Sequence, residues 1–410
     1  MADFVKLPLS GLEAPLSEME VAIQDNVHRF AQDVMRPLAA KLDEMTAEQV
    51  CAKDSPLWEA LGKAHELGLS VLAMAELPPL ERVQLFAIAT EELAWGDGGL
   101  AGAIMVNHFP VIYSLLAGNL PMAEYCEGKL GCWGITEPDH GSDMLDATGS
   151  LAAATGQYGR PNCTARIVGD KVIINGQKSA WVSGAPAAEV CALFCHYADE
   201  AGATRPGVAV IVPLDAKGVY RGKPLEKMGL RGLCQGELYF DNVEVPIAHL
   251  LAGPDTYHEL AYRMLSEANP HVAACAVGVA RAAFEHAWEY AHQRKQGGLP
   301  LIRHQHVRFR LFEMFRKVEA ARALTRRVMA YNATAQRPSL LGSTSAKVSA
   351  TQAAFEVASD ALQMFGGNGL TKEYPMEKLF RDARAMLIAD GANEVLAMKG
   401  ASDLINPDLF

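Results

Sequence analysis

Apolar residues recur at spacings of three and four through residues 18–131, with few β-branched runs and with breaks at Pro and Gly. That period predicts a succession of helices. Between 132 and 250 the pattern changes to short β-branched runs, among them CTARIV, KVIING, GVAVIVPL and ELYFDNVEVP, punctuated by Gly, Asp and Pro. These read as strands and turns. From about residue 255 the helical period returns, in segments near 256–293, 302–336 and 340–365 and a shorter one near 392–405. The fold class is therefore α+β, with an N-terminal helical domain (1–131), a middle β domain (132–250) and a C-terminal helical domain (251–410). Thr155–Pro161 reads as a hairpin loop and Ala198–Pro206 as a second exposed loop. Internal repeats and low-complexity tracts are absent from the sequence.

The most apolar stretch, Gly99–Ala117, contains Asn107, His108 and Pro110, so it reads as buried helix and not as a membrane span. A start of MADFVKLPLS has neither a secretory nor an organelle-targeting pattern, which leads to the expectation of a cytoplasmic protein. The net charge of −11 opposes a nucleic-acid surface. The eight cysteines are dispersed without a CxxC, as reduced thiols are. Within EVCALFCHYA, strand alternation puts Cys191 and Cys195 on one face and His196 on the other. A buried structural role is expected there, and no metal site anywhere.

Three stretches carry more specific information. They are GITEPDHGSD (134–143), KMGLRG (227–232) followed by ELYFDNVEVP (237–246), and QMFGGNGLTKEYPMEKLFRDARAMLIADGANEVL (363–396). HQRKQGGLPLIRHQ (292–305) fits the same series. In this order and spacing, from about residue 18 to 405, they closely resemble the acyl-CoA dehydrogenase family. The resemblance implies an acyl-CoA dehydrogenase-like fold: helical N-terminal domain, β-barrel-like middle domain and C-terminal four-helix bundle. It further implies FAD as cofactor, an acyl-CoA substrate, and electron-transferring flavoprotein or a similar acceptor as partner. A homo-oligomer is implied too, most commonly a tetramer, with a dimer as the minimum for a complete FAD site.

The same resemblance assigns residues. The loop of Trp133, Ile135, Thr136 and Ser142 matches the one that meets the flavin ring and pyrophosphate. Trp181 and Ser183 stand for a family Trp and Thr if one insertion and one deletion are allowed, with Ser183 then near flavin N5. Arg294 and Gln305 correspond to contacts with the FAD pyrophosphate or adenine; the planar fork of Arg suits a diphosphate. Gln363, Gly366 and Gly367 correspond to the hold on the adenosine part across a subunit interface, and Ala392 and Glu394 to further cofactor contacts. A helix C-cap would account for one glycine of QMFGGNG but hardly for three. Ser142, Asn269 and Gly391 are the implied substrate contacts, Asn269 standing where the family often has Arg.

Family chemistry is α,β-dehydrogenation of an acyl-CoA, in which a carboxylate removes the α-proton. The matching position after RDA is Asp390, with Ala389 before it, where the family usually has Glu preceded by an aromatic residue. Asp is one methylene shorter, and at a reactive distance near ~3–3.5 Å that difference matters. A cyclic or α-branched acyl group, such as a cyclohexanecarboxyl, would fill the space beside Ala389. Two other carboxylates stay open as bases: Asp97, whose simpler role is a helix cap, and Glu267, whose simpler role is a solvated or ion-paired surface group. Different flavin chemistry on the same fold is the alternative: 1,4-dehydrogenation of a cyclic enoyl-CoA with another base, or a monooxygenase or desulfinase.

Overall fold

The computed structural model describes residue 12 and residues 15–145, 162–199 and 204–405. The hairpin expected at Thr155–Pro161 lies outside them. Among the described residues the chain opens with α1 (Glu18–Phe30), α2 (Arg36–Glu44), α3 (Ala47–Cys51), α4 (Pro56–His65) and α5 (Val71–Ala75). It continues with α6 (Pro79–Gly96), α7 (Gly98–Val106), α8 (Phe109–Leu116) and α9 (Leu120–Cys126). The starts follow local chemistry: Ser17 and Glu20 form a capping box on α1, and Asp97 caps α7 by accepting from the Leu100 N–H at 2.8 Å. The apolar Gly99–Ala117 stretch becomes α7 and α8, mostly buried and bent 46° apart, and no single described helix is long and apolar enough to cross a membrane.

Next come the strands β1 (Gly131–Gly134), β2 (Thr164–Val168), β3 (Lys171–Ser183), β4 (Val190–Ala198), β5 (Thr204–Pro213), β6 (Val219–Arg221), β7 (Gln235–Pro246) and β8 (Leu250–Ala252). They form one sheet in the order β6-β7-β3-β2-β4-β5-β8, with β1 joined parallel to β4. Strand alternation decides what each face does. On β4, Cys191, Leu193 and Cys195 enter a core internal to the sheet domain, whereas Val190, Ala192 and Phe194 enter the core shared with the helices. Both thiols are thus buried packing residues, as expected. The loop expected at Ala198–Pro206 is shorter than its polar composition suggests, because Tyr197 and Ala198 pair with Arg205 and Thr204 and extend both strands into it.

A hairpin of β9 (Lys295–Gln296) and β10 (Leu299–Pro300) separates the two longest helices of the C-terminal region. That region holds α10 (Tyr257–Gln293), α11 (Gln305–Thr334), α12 (Leu340–Phe365), α13 (Met376–Met386) and α14 (Asn393–Ile405). The amphipathic α13 is an element the period analysis passes over, since it lies inside the motif that ends in RDA. Pro270 sits inside α10. A proline there cannot donate to the carbonyl four residues back. The freed Ser266 carbonyl is taken instead by Asn332 Nδ2 (3.0 Å) and Ser343 Oγ (2.8 Å), from α11 and α12.

The first and last helical regions are joined by buried charge. Arg281 of α10 donates to Glu91 (2.7 Å) and Glu92 (2.5 Å) of α6, and Arg322 of α11 donates to Glu91 at 2.7 Å. Arg326 reaches Glu91 at 3.2 Å, and His28 of α1 meets Glu92 at 2.8 Å. Burial alone would raise the Glu91 carboxyl, but the three guanidiniums reverse that and hold it far below the usual range. Gly278 allows this approach: a Cβ there would lie 2.3 Å from the Glu91 carbonyl oxygen. Replacing Glu91 with Gln leaves buried guanidiniums short of their counter-charge. The expected outcome is a loss of about 3–5 kcal/mol of stability, read as an earlier denaturant midpoint. Because the native carboxyl is held low, the wild type keeps this contribution at neutral pH and loses it only as pH falls through the native value. The wild-type advantage over Glu91→Gln should therefore shrink on acidification.

Candidate active site

The loop between α13 and α14 is built around an uncommon backbone. Asp390 has φ +51°, and Gly391 follows at φ +106°. The left-handed region is open to Gly and tolerated by Asp better than by most residues. Three contacts fix the loop. Lys347, fully buried on α12, donates to the Gly391 carbonyl (2.6 Å) and to Asn393 Oδ1 (2.9 Å). Thr351 Oγ1, one turn along α12, also meets the Asn393 side chain. The Ala392 N–H donates to Ser142 Oγ at 2.9 Å. The fold thus brings Asp390, Gly391 and Ala392 together with Ser142 of GITEPDHGSD. The N–H groups of Asp390 and Gly391 have no acceptor among the described residues. Burial raises the Asp390 carboxyl above its ordinary value, and the Lys347 cation opposes that rise.

The Ser142 loop is itself anchored by charge. Glu137 and Lys178 form a fully buried ion pair at 2.7 Å, and Lys178 Nζ also donates to the Ile135 carbonyl at 2.9 Å. The Ser179 N–H donates to the Thr136 carbonyl at 2.9 Å, lacing the loop onto β3. The β3–β7 pairing is irregular between Lys178 and Val182, the place where the resemblance needs its insertion and deletion. Beyond that irregularity Trp181 is 57% exposed, and Ser183 accepts from Gln235 Nε2 at 2.9 Å.

Aromatic rings close the other side. Tyr113 lies 5.4 Å from Phe109, 5.9 Å from Trp133 and 5.8 Å from Phe194, between ring centroids. Its hydroxyl is buried without a partner, as are Trp133 Nε1 and both amide atoms of Asn269. Each such group left unpaired costs about 1–3 kcal/mol. The hydroxyl of Tyr113 is raised well above its ordinary value, first by burial and then by the charges of Asp390 and Glu267. Tyr113 is a site residue that sequence reading misses; its tyrosine inside an otherwise apolar helix was the available signal.

The remaining predicted residues form a separate group. Arg294 ends α10, Gln305 begins α11, and Gln363, Gly366 and Gly367 end α12, all exposed. Tyr290 stacks on Phe365 at 3.9 Å and binds Asn368 at 2.9 Å, which holds the ends of α10 and α12 together. Gly366 needs its freedom for φ +60°, while a Cβ on Gly367 would meet only open space. Glu394 is exposed in the first turn of α14.

The two other carboxylates separate cleanly. Asp97 caps α7 and also pairs with Lys378, which bonds Asp382 at 2.6 Å; it is committed to structure. Glu267 is not the solvated surface group expected. Burial raises its carboxyl, its charge reaches the Tyr113 hydroxyl, and Arg82 only partly offsets the rise. The Pro270 site and the neighbouring helices enclose that stretch of α10, which spacing along the chain does not reveal. The KMGLRG motif proves to be scaffold for RDA: the Leu230 N–H donates to Asp382 at 2.6 Å, Arg381 binds Asp43 at 2.6 Å, and a Cβ on Gly229 would lie 2.4 Å from the Arg381 carbonyl oxygen.

The residues present fit a large polar cofactor such as FAD. Unpaired buried donors and acceptors stand at Trp133, Tyr113 and Asn269, and the glycine surface at Gly366–Gly367 leaves room for a ligand. Family models match the chain in three consecutive pieces. They are described as the acyl-CoA dehydrogenase N-terminal domain (17–119), middle domain (132–243) and C-terminal domain (259–405). Benzylmalonyl-CoA dehydrogenase of Aromatoleum aromaticum is 30% identical over 404 residues, covering 96% of this chain and 100% of that protein. The solved structure of butyryl-CoA dehydrogenase from Megasphaera elsdenii superposes with a TM-score of 0.81 at 26% identity, covering 96% of this chain and 100% of that one. A structure described as electron transferring flavoprotein of Acidaminococcus fermentans gives 0.80 at 26% identity, with coverage of 96% and 100%.

Among the described residues, Lys347 is the cation that holds the Asp390 carboxyl down. In Lys347→Met the Asp390 titration, followed by 13C NMR of labelled aspartate, should therefore move to higher pH. The buried Gly391 carbonyl also loses its donor, while Asn393 Oδ1 keeps Thr351, so stability should fall by about 1–3 kcal/mol.

Proposed function

The chain belongs to the acyl-CoA dehydrogenase family, whose members are FAD enzymes acting on CH–CH groups, and we propose that it desaturates a cyclic or branched acyl-CoA with Asp390 as the base. The observation that carries this reading is the state of Asp390: enclosed, raised in pKa, and held by Lys347 and the Ser142 contact in a fixed loop. A base raised toward working pH is a better proton acceptor when it ionises. The unpaired N–H groups of Asp390 and Gly391 are available to polarise a thioester carbonyl while enolate charge develops.

In this reading Trp133, Ile135, Thr136, Ser142, Trp181, Ser183, Ala392 and Glu394 hold the flavin end of FAD, and Ser142, Asn269 and Gly391 meet the substrate. When bound, FAD would supply the acceptor for the β-hydride. The α-proton goes to Asp390 and stays on its carboxyl until solvent removes it. Tyr113, Trp133 and Phe109 keep water away from the reacting carbons and strengthen the electrostatics inside. Arg294, Gln305, Gln363, Gly366 and Gly367 serve the adenosine and diphosphate part of FAD. Their exposure and their distance from Asp390 support service to a second subunit's cofactor: from Cys275, whose thiol feels Asp390, to Arg294 is about 29 Å of helix. This reading requires a homo-oligomer, a dimer at the least, and the family resemblance favours a tetramer. The likeness to the Acidaminococcus fermentans structure supports electron-transferring flavoprotein as the acceptor.

The cyclic or branched substrate is supported by the short acid, the small Ala389 beside it, and the name of the Aromatoleum aromaticum relative. The test is anaerobic. Linear, branched and ring-bearing acyl-CoAs are mixed with holoenzyme and the oxidised flavin band is followed. Ring-bearing or branched thioesters should bleach the wild type fastest, and Asp390→Asn should slow bleaching by roughly 10²–10⁴. Full-rate bleaching in Asp390→Asn would transfer the base to Glu267, the other raised carboxyl facing Tyr113. Since Asp390 must be ionised, the rate should climb with pH through its raised native value and then level.

A further inference from the structure

Six of the eight cysteines stand in three pairs whose thiols hydrogen-bond each other: Cys132 with Cys191, Cys163 with Cys195, and Cys51 with Cys234. The first two pairs belong to the core of the sheet domain, where all four residues are 0% exposed. The third pair is placed differently. It joins the helical N-terminal region to the segment just ahead of β7. Cys51, the last residue of α3, is partly exposed, and Cys234 is 6% exposed. Direct contacts hold the two segments together. The Ala47 N–H, one helical turn from Cys51 on the same face of α3, donates to Glu226 Oε1 at 2.7 Å, and Arg231 donates to the Met45 carbonyl at 2.6 Å. Lys227 Nζ donates to the Leu233 carbonyl (2.6 Å) and to Gln235 Oε1 (2.9 Å), the residues on either side of Cys234, so a cation stands beside that thiol.

We infer that Cys51 and Cys234 form a peroxide-reactive dithiol, a modification site at the join between the N-terminal helices and the sheet domain. The surroundings divide the roles. Cys234 is the attacking sulfur: the hydrogen bond from Cys51 lowers its pKa, burial opposes this, and Lys227 adds to the lowering. Burial brings Lys227 down only to about 8, so it stays charged near pH 7. Cys51 is the resolving thiol, raised by the same hydrogen bond and then by burial. The Cys234 thiolate attacks one oxygen of hydrogen peroxide. The O–O bond breaks, an S–O bond forms, and the hydroxide released takes up the proton that Cys234 gave up. Cys51 sulfur then displaces the hydroxyl of the Cys234 sulfenic acid. That S–O bond breaks, an S–S bond forms, and the Cys51 proton leaves with the hydroxyl as a second water. The dithiol loses two electrons, and both peroxide oxygens end as water. A thiol reductant reverses the change by exchange. The sheet-core pairs have the same proximity but no exposed member, so they serve as internal controls.

The test uses full-length holoenzyme, reduced, freed of reductant and exposed to hydrogen peroxide, then alkylated and mapped by mass spectrometry without reduction. The expected product is a linked Cys51–Cys234 peptide, two hydrogens lighter than its parts and separated by dithiothreitol, formed while the protein keeps its native circular dichroism. Cys132, Cys163, Cys191 and Cys195 should stay reduced. In Cys51→Ser, Cys234 should stop at the sulfenic acid and be labelled by dimedone. In Cys234→Ser, Cys51 should react with peroxide at least about tenfold more slowly than Cys234 does in the wild type. Absence of the linked peptide, its formation only in urea, or equal oxidation of the sheet-core pairs would overturn the assignment of the site. Dimedone labelling of Cys51 in Cys234→Ser as fast as that of Cys234 in Cys51→Ser would overturn the division of roles. The wild-type map decides the pairing even where a variant misfolds.

Discussion

The buried contact of α6 with α10 sets everything else in place. Two adjacent glutamates on α6 meet Arg281 on α10, and Arg322 and Arg326 on α11 close the cluster. Such a cluster stabilises only while every member is present, because each desolvated charge depends on the others. Its consequence is positional. α10 carries Glu267, Asn269, His271 and Cys275 within the two to four turns that precede Arg281. Fixing Arg281 against α6 fixes their height relative to α7 and α8, which bring Met105, Phe109 and Tyr113. Gly278 makes the approach close enough for short ionic contacts, since any side chain there would strike the α6 backbone.

A second constraint runs from α12 to the α13–α14 loop. Lys347 is buried for the sake of two acceptors on that loop, and its charge opposes the desolvation of Asp390. Burial in turn lowers Lys347 to about 8. The pair is mutually adjusted: the lysine keeps the acid ionisable, and the acid keeps the lysine charged. The unpaired hydroxyl of Tyr113 and indole N–H of Trp133 belong to one aromatic cluster that feels the charge of Asp390, so unsatisfied polarity stands there where a ligand can meet it. The Ser266 carbonyl freed by Pro270, by contrast, is provided for.

Much of this was legible along the chain because it is local. The change from a helical to a strand period, the caps, the two faces of β4 and the capping role of Asp97 all depend on neighbours within a few residues. The motif positions could be aligned for the same reason, and their residues do gather in two groups. What escaped depends on contacts between distant segments. Glu267 looked like a surface residue because its own helix gives no hint of Tyr113 opposite or of the enclosure around Pro270. Lys347 shares the spacing of Ser343, Ala350 and Ala354 on the buried face of α12, and a lysine on such a stripe is a signal of internal pairing. Glu91, Glu92 and Arg281 carry the same signal, charges inside otherwise apolar helices, but their partners lie some 190 residues apart.

The left-handed conformation of residue 390 bears on why the acid here is aspartate. A longer side chain from the same backbone would carry its carboxyl further from Lys347 and the loop that Lys347 braces. Asp keeps the charge close to both, and it is among the few residues that accept positive φ without much strain. In the proposed reaction the shortened reach has to be matched from the substrate side: the α-carbon must come nearer the loop. In that reaction the small side chain of Ala389, next to the acid in the chain, suits such an approach. In the proposed reaction, acid length and neighbouring side-chain size are thus two expressions of one geometric requirement, that the reacting carbons lie close to the loop.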